Sequence, residues 1–150
     1  MIGDVVEHAI KTVKALPEYE SLAIVFSEGR DVETVFDPAK LERALLNLLF
    51  NAAEAVPAAT GHIEVRVARS SDGTVIEVAD NGPGIPAEVA SSLFRPFVSH
   101  GKEKGIGLGL TVVQTVMQQH GGRVEVVRSG PDGTTFRLTV PDGIPATELP

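Results

Sequence analysis

An aspartate, Asp80, ends an apolar segment of this sequence and is followed by Asn-Gly-Pro-Gly-Ile. Because the side chains of a strand alternate between two faces, Asp80 shares a face with Ile76 and Val78, and that face is expected to enter the core. A carboxylate among aliphatic side chains is costly unless it meets a hydrogen-bond donor, and the amino group of a nucleobase is such a donor. A hairpin turn of the Asp-Gly type is the alternative. The ligand interpretation is favoured, because residues 87–94 have a helical pattern and not that of a returning strand.

Two asparagines, Asn47 and Asn51, stand four residues apart and therefore share a face of a predicted helix. The rest of that helix is apolar nearly all round, so it is expected to be mostly buried, and buried amides need partners. In one interpretation both amides bond to neighbouring backbone. In the other, they supply an oxygen ligand for a hard cation such as Mg²⁺ and a contact to a polar substrate. The helix alone favours neither.

A glycine-rich segment, residues 105–110, leads directly into another predicted helix. Glycines let backbone amides approach a phosphate, and a helix N-terminus adds free N–H groups and a favourable dipole. Lys102 and Lys104 precede the segment and could contact phosphates as point charges. Its glycine spacing matches neither a Walker A sequence nor the dinucleotide-binding fingerprint. A flexible hinge is the alternative interpretation.

A threonine, Thr134, begins the last predicted strand and shares a face with Phe136 and Leu138. If this strand lies beside the strand of Asp80, the hydroxyl of Thr134 points inward next to the carboxylate. There it would support the carboxylate or bridge to a base. The alternative is that a β-branched residue simply favours a strand.

The elements that must position these residues are helices and about five strands, mostly in antiparallel hairpins. Asp37-Pro38 is a strong helix start, with the aspartate as cap and the proline at the first helical position. The other signals are apolar periodicity and Gly or Pro breaks. They predict helices at residues 2–16, 38–56 and 107–120, strands at 22–28, 63–69, 74–80, 124–128 and 134–140, and a long loop at 94–104. With the helices on one face of the sheet, the fold class is an α+β two-layer sandwich.

The composition excludes several classes of function for this chain. The chain has 150 residues with a net charge of −7, which argues against broad binding to nucleic acid or anionic membranes. It has no cysteine, which excludes disulfides, thiolate metal sites and cysteine nucleophiles. No apolar run approaches a membrane span, and the first residues include Asp4 and Glu7 where a signal peptide carries positive charge. We expect a cytoplasmic domain at residues 1–141 and a flexible tail at 142–150.

Taken together and in this order, the motifs resemble those of the nucleotide-binding catalytic domain of sensor histidine kinases. That domain belongs to the superfamily shared with DNA gyrase, the heat-shock chaperone ATPase and the mismatch-repair ATPases. The matching segments are residues 45–55 for the N box, 80–84 for the G1 box, 93–97 for the F box, 105–110 for the G2 box and 133–136 for the G3 box. The resemblance covers residues 4–141. It implies a Bergerat-type ATP-binding fold, in which helices cover one face of a mixed, mostly antiparallel sheet.

The resemblance implies ATP and Mg²⁺ as cofactors and assigns roles to single residues. Asn51 becomes the Mg²⁺ ligand, and Asp80 accepts the adenine amino group with help from Thr134. Gly82 and Gly84 let the base approach. The other residues that it assigns to the nucleotide site are Asn47, Ile85, Lys102, Gly105, Gly107, Leu108 and Gly109. Residues 97–104 become a mobile ATP lid.

Two positions depart from the family pattern. Glu54 stands where many histidine kinases have a basic residue, so Lys102 or Arg95 is expected to take over that phosphate contact. The lid stretch, residues 99–104, is also short, so its ordering is expected to differ.

The resemblance also implies where the phosphoryl group goes. ATP-hydrolysing relatives carry a glutamate at the position of Asn47, and asparagine cannot replace it as the general base that activates water. The acceptor must then come from elsewhere. In histidine kinases it is a histidine on a separate dimerising helical hairpin, usually followed by an acidic residue. None of the four histidines here is followed by one.

The implied partners are therefore the dimerisation and phosphoacceptor domain of the same kinase and a downstream response regulator, without nucleic acid and without direct membrane contact. A free-standing, nucleotide-dependent regulator that binds or phosphorylates a partner protein is the alternative, although such regulators usually carry the glutamate at the Asn47 position. A degenerate domain that senses nucleotide without phosphoryl transfer is a third class. The intact set of Asn51, Asp80 and glycines argues against it.

Overall fold

The helices and strands lie in the order that the sequence predicts. The computed structural model describes residues 2–57, 59–85 and 106–142. The helices are α1 (Ile2–Lys14), α2 (Pro38–Ala55) and α3 (Ile106–Gln119), with a short 3₁₀ helix at Pro17–Tyr19. The strands are β1 (Ala23–Glu28), β2 (His62–Ser70), β3 (Gly73–Asp80), β4 (Arg123–Gly130) and β5 (Gly133–Val140). The predicted bounds differ from these by one or two residues at most.

The strands form one sheet in the order β1-β2-β3-β5-β4. Strands β1 and β2 are parallel, as a crossover through α2 requires, and the other neighbours are antiparallel. Pairing of β3 with β5 places the second hairpin beside the first. The predicted fold class, an α+β sandwich with a mixed and mostly antiparallel sheet, is confirmed.

The start of α2 follows from its first residues. The side chain of Asp37 accepts hydrogen bonds from the backbone N–H groups of Ala39 and Lys40, at 3.0 and 3.3 Å. Pro38 occupies the first helical position, where a missing N–H has no cost. The predicted cap is confirmed, and it fixes the position of the asparagines along the helix.

The core lies between the helices and one face of the sheet. Buried residues of this core include Val6, Ala9 and Val13 of α1, Leu41, Leu45, Leu48 and Leu49 of α2, Leu110, Val113 and Met117 of α3, and Ile63, Val65, Ile76, Val78 and Leu138 of the sheet. Helix α2 is central, because both α1 and α3 pack on it. No helix in the described ranges is long and apolar enough to cross a membrane.

The opposite face of the sheet carries a row of charges that alternate in sign. In register across the five strands, from β1 to β4, this outer row is formed by Glu28, Arg66, Glu77, Arg137 and Glu125. The central glutamate bonds to both arginines at 2.7 Å. Burial alone would raise the pKa of Glu77, but hydrogen bonds from Arg137 and Arg66 outweigh it and hold the pKa below its usual value.

The far end of α3 is fixed against the start of α2. The ring of His120 stacks on Phe36 with 3.7 Å between ring centroids, and its Nε2 accepts the backbone N–H of Asp37. Gly121 follows in the left-handed region at φ 73°, and Gly122 donates to the carbonyl of Met117. The predicted helix end at this glycine pair is confirmed.

Candidate functional site

Asp80 and Thr134 lie side by side at one end of the sheet. They are register partners on β3 and β5, and both face the core, with exposed fractions of 8% and 4%. The carboxylate Oδ1 of Asp80 accepts the backbone N–H of Gly82 at 2.8 Å. The predicted placement of both residues is confirmed, and it puts a buried carboxylate at the edge of an aliphatic core.

The segment after β3, residues 81–85, is held at both ends. At one end the side chain of Asn81 accepts the N–H of His62 at 2.8 Å and donates to the carbonyl of Thr60 at 2.9 Å. At the other end Ile85 donates its N–H to the Oγ of Ser129 at 2.8 Å. We call this segment the base loop. Bonds within the protein therefore hold both ends of the backbone segment that follows Asp80.

The base loop depends on glycine for packing as well as for ligand access. A Cβ at Gly82 would lie 3.1 Å from the carbonyl oxygen of Ala55 and 3.1 Å from Oδ1 of Asp80. Gly84 has φ 89°, and a Cβ there would lie 2.4 Å from the carbonyl oxygen of Gly130. The loop is therefore seated between the end of α2 and the β4–β5 hairpin, and side chains at these positions would displace it.

The asparagines of α2 lie on the helix whose C-terminal end contacts this loop. Asn51 is one turn before Ala55, the residue that Gly82 approaches, and both Asn47 and Asn51 are half-buried. The side-chain amide nitrogen of Asn51 is buried and has no hydrogen-bond partner among the described residues. Buried amides are normally paired, so this open N–H donor fits a group that completes its bonds with an acceptor atom of a ligand, such as a phosphate oxygen.

Glu54 adds a carboxylate to the last turn of α2, near Tyr19. It lies one turn after Phe50, on which Tyr19 packs with 6.3 Å between ring centroids. Burial raises the pKa of the Tyr19 hydroxyl, and the carboxylates of Glu54 and Glu18 raise it further. Glu54 therefore places negative charge near a phenol.

The remaining residues of the predicted site belong to the glycine-rich segment. The backbone of Gly107, Leu108 and Gly109 forms the first turn of α3, as expected for amides that face a phosphate. Lys102, Gly105, Arg95, the F box, the predicted helix at 87–94 and the lid lie outside the described residues. Of the predicted tail, Asp142 pairs with Arg69, and residues 143–150 also lie outside.

Comparison with known protein families identifies the family of this chain. A model described as "Histidine kinase-, DNA gyrase B-, and HSP90-like ATPase" matches residues 36–144. This chain belongs to that ATPase family. The predicted resemblance is confirmed, and membership of an ATPase family implies that this domain binds ATP.

Relatives of this ATPase domain are sensor proteins. The chain is 46% identical over 102 residues to the C4-dicarboxylate transport sensor protein DctB of Rhizobium meliloti (strain 1021), covering 67% of this chain and 16% of that protein. It is 33% identical over 144 residues to the sensor histidine kinase ZraS of Escherichia coli (strain K12), covering 95% of this chain and 30% of that protein. The chain thus spans a third or less of the length of these relatives.

Solved structures agree with the fold. The Mycobacterial sensor histidine kinase MprB superposes with a TM-score of 0.79 at 28% identity, covering 93% of this chain and 95% of that chain. The nucleotide-free catalytic domain of histidine kinase ThkA gives a TM-score of 0.78 at 23% identity, covering 94% of both chains. The second likeness supports the fold alone.

Two residues of the site were missed by the sequence reasoning. The sequence predicts Asn81 only as part of the G1 box, although asparagine side chains often bond to nearby backbone, which is a signal for its position here. Ser129 gave no signal, because its bond to Ile85 links positions 44 residues apart and depends on the pairing of β4 with β5. Both hold the ATPase domain's base loop.

Proposed function

We propose that this chain is the ATP-binding catalytic domain of a two-component sensor histidine kinase. In this proposal it binds Mg-ATP and donates the γ-phosphoryl group to a histidine on a separate dimerisation domain, from which the group passes to a response regulator. The observation that carries the proposal is the buried pair of Asp80 and Thr134, with the carboxylate bonded to the N–H of Gly82, in a member of this ATPase family. We place the domain at residues 1–141 of a cytoplasmic assembly.

Adenine recognition rests on Asp80. A carboxylate has two oxygens that accept several hydrogen bonds, so the bond from Gly82 is compatible with a second bond from the adenine amino group. Thr134 offers a hydroxyl on the neighbouring strand, and Gly82 and Gly84 carry no side chain that could block the edge of a base.

Phosphate binding divides between α2 and α3. The first turn of α3, with Gly107 and Gly109, presents free N–H groups to an anion, and Lys102 adds a point charge. Asn51 offers an amide oxygen, the ligand type that Mg²⁺ accepts, and its buried Nδ2, which has no partner among the described residues, can donate to a phosphate oxygen. Mg²⁺ would supply charge neutralisation for the transferring group.

The fate of the phosphoryl group follows from Asn47. This half-buried amide lies on α2 one turn before Asn51 and has no basic lone pair with which to activate water. The domain therefore positions ATP and shields it from hydrolysis until a histidine acceptor docks. The carboxylate of Glu54 makes Lys102 and the amides of α3 the main phosphate contacts.

The test is a transfer assay with radiolabelled ATP. The isolated chain should hydrolyse ATP very slowly and acquire no phosphohistidine, whereas an added dimerisation domain from the same kinase should become labelled. Rapid hydrolysis that a mutation in this site abolishes would contradict the proposal. Nucleotide binding without labelling of any histidine domain would favour the alternative of a nucleotide-dependent regulator.

A further inference from the structure

The tip of the β4–β5 hairpin fixes the far end of the base loop. The Oγ of Ser129 accepts the N–H of Ile85 at 2.8 Å, and the backbone of Gly84 lies against that of Gly130. Neither contact involves α2 or α3. The hairpin therefore holds the loop independently of the helices that are proposed to bind the phosphates.

The strand pairing explains why this contact bears on Asp80. Ser129 is the register partner of Thr134, and Thr134 is the register partner of Asp80. These residues form one row across β4, β5 and β3. The base loop leaves Asp80 at one end of this row and is bonded to Ser129 at the other end, so the hairpin tip holds the loop on the same row that carries Asp80.

We propose that Ser129 is a positioning residue for the nucleotide, acting through the amide of Ile85. Its hydroxyl keeps the base loop seated on the hairpin, and so keeps Gly82 and the carboxylate of Asp80 in the arrangement that admits the base. This inference rests on the proposed nucleotide function.

The expected effect is moderate because Ser129 is exposed and water can replace its hydroxyl. Without the hydroxyl of Ser129, a smaller fraction of molecules has the base loop bonded to the hairpin. The apparent affinity for ADP falls in proportion to that fraction. The loss of one neutral hydrogen bond corresponds to roughly a three- to tenfold weaker affinity for ADP. Threonine keeps the hydroxyl, and its extra methyl group projects from an exposed position, so Ser129→Thr should bind ADP like the wild type.

The experiment measures ADP affinity by calorimetry and amide hydrogen exchange at Ile85 in Ser129→Ala and Ser129→Thr. The matched control is Ser70→Ala. Ser70 Oγ also accepts a backbone N–H, that of Asp72 at 3.1 Å, but in the β2–β3 turn at the opposite end of β3. We expect weaker ADP binding and faster exchange at Ile85 in Ser129→Ala alone.

The outcomes separate this inference from the proposed function. If Asp80→Asn binds ADP more weakly while Ser129→Ala binds it like the wild type, the nucleotide site is supported and the positioning role of Ser129 is refuted. Equal losses in the alanine and threonine variants, or faster exchange throughout the domain without a specific change at Ile85, would also overturn the role. If Asp80→Asn binds ADP normally, the proposed function itself fails.

Discussion

Strand β3 carries two acidic residues that the protein holds in different ways. Glu77 faces the outer side of the sheet, where Arg66 and Arg137 bond to it from the strands on either side. Asp80 faces the core, where its Oδ1 is bonded to the backbone N–H of Gly82 and Thr134 lies beside it. A carboxylate that pairs with arginines at the same register on neighbouring strands stabilises the sheet. A charge held by a glycine-rich loop at the edge of the core suits the recognition of a ligand.

The largest expected effect comes from Asp80→Asn. Asparagine keeps an oxygen for the N–H of Gly82, but it turns an NH₂ group toward the adenine amino group, so two donors face each other in a buried site. The cost is on the order of 1–3 kcal/mol of ADP binding free energy. Calorimetric titration with ADP checks it. The free energy of unfolding should change little, and unchanged affinity in a folded variant would refute the assignment.

The complementary change on the outer face is Glu77→Gln. It removes the charge that both arginines share and leaves Arg66 and Arg137 facing each other across β3. The glutamate side chain is only 16% exposed but the arginines are 43% and 38% exposed, so solvent screens part of the interaction. We expect a loss of about 1–2 kcal/mol in the free energy of unfolding.

Chemical denaturation measures this loss, and the comparison requires that ADP affinity stays at the wild-type value. A variant that lost ADP binding while folded would show that the outer row serves the site, and the division between the two faces of β3 would then be wrong.

Periodicity was sufficient to predict one of these faces but not the other. Alternation along β3 placed Asp80 with Ile76 and Val78, and the same reasoning placed Thr134 inward on β5. The outer row could not be predicted, because it needs the register of the whole sheet: Glu77 meets Arg137 only through a pairing of strands 60 residues apart.

In the candidate site, too, the contacts that depend on distant parts of the chain could not be predicted from the sequence. Helical spacing predicted that Asn47 and Asn51 share a face, and the cap at Asp37 fixed the start of their helix. The seat of the base loop was not predictable, because Ser129 and Gly130 reach it from the end of a hairpin formed by residues far along the chain. The motif glycines were assigned to ligand access, yet the described contacts show that Gly82 and Gly84 also lie against neighbouring backbone.

The smallest expected effect is the pH dependence of the outer row. Since Arg137 and Arg66 hold the pKa of Glu77 below that of the unfolded chain, the ionised form is favoured by folding. Its stabilisation is fully present above the unfolded-state pKa of a glutamate, about 4.3, and is lost as the pH falls through the lower folded-state pKa. The difference in unfolding free energy between the wild type and Glu77→Gln should therefore be constant near neutrality and shrink below about pH 4.3. Taking the difference cancels the carboxylates that both proteins share, Asp80 included. If this difference in unfolding free energy stayed constant down to pH 3, the destabilisation of Glu77→Gln would come from altered packing and not from the lost charge. The contrast between the two faces of β3 would then not be one of electrostatics.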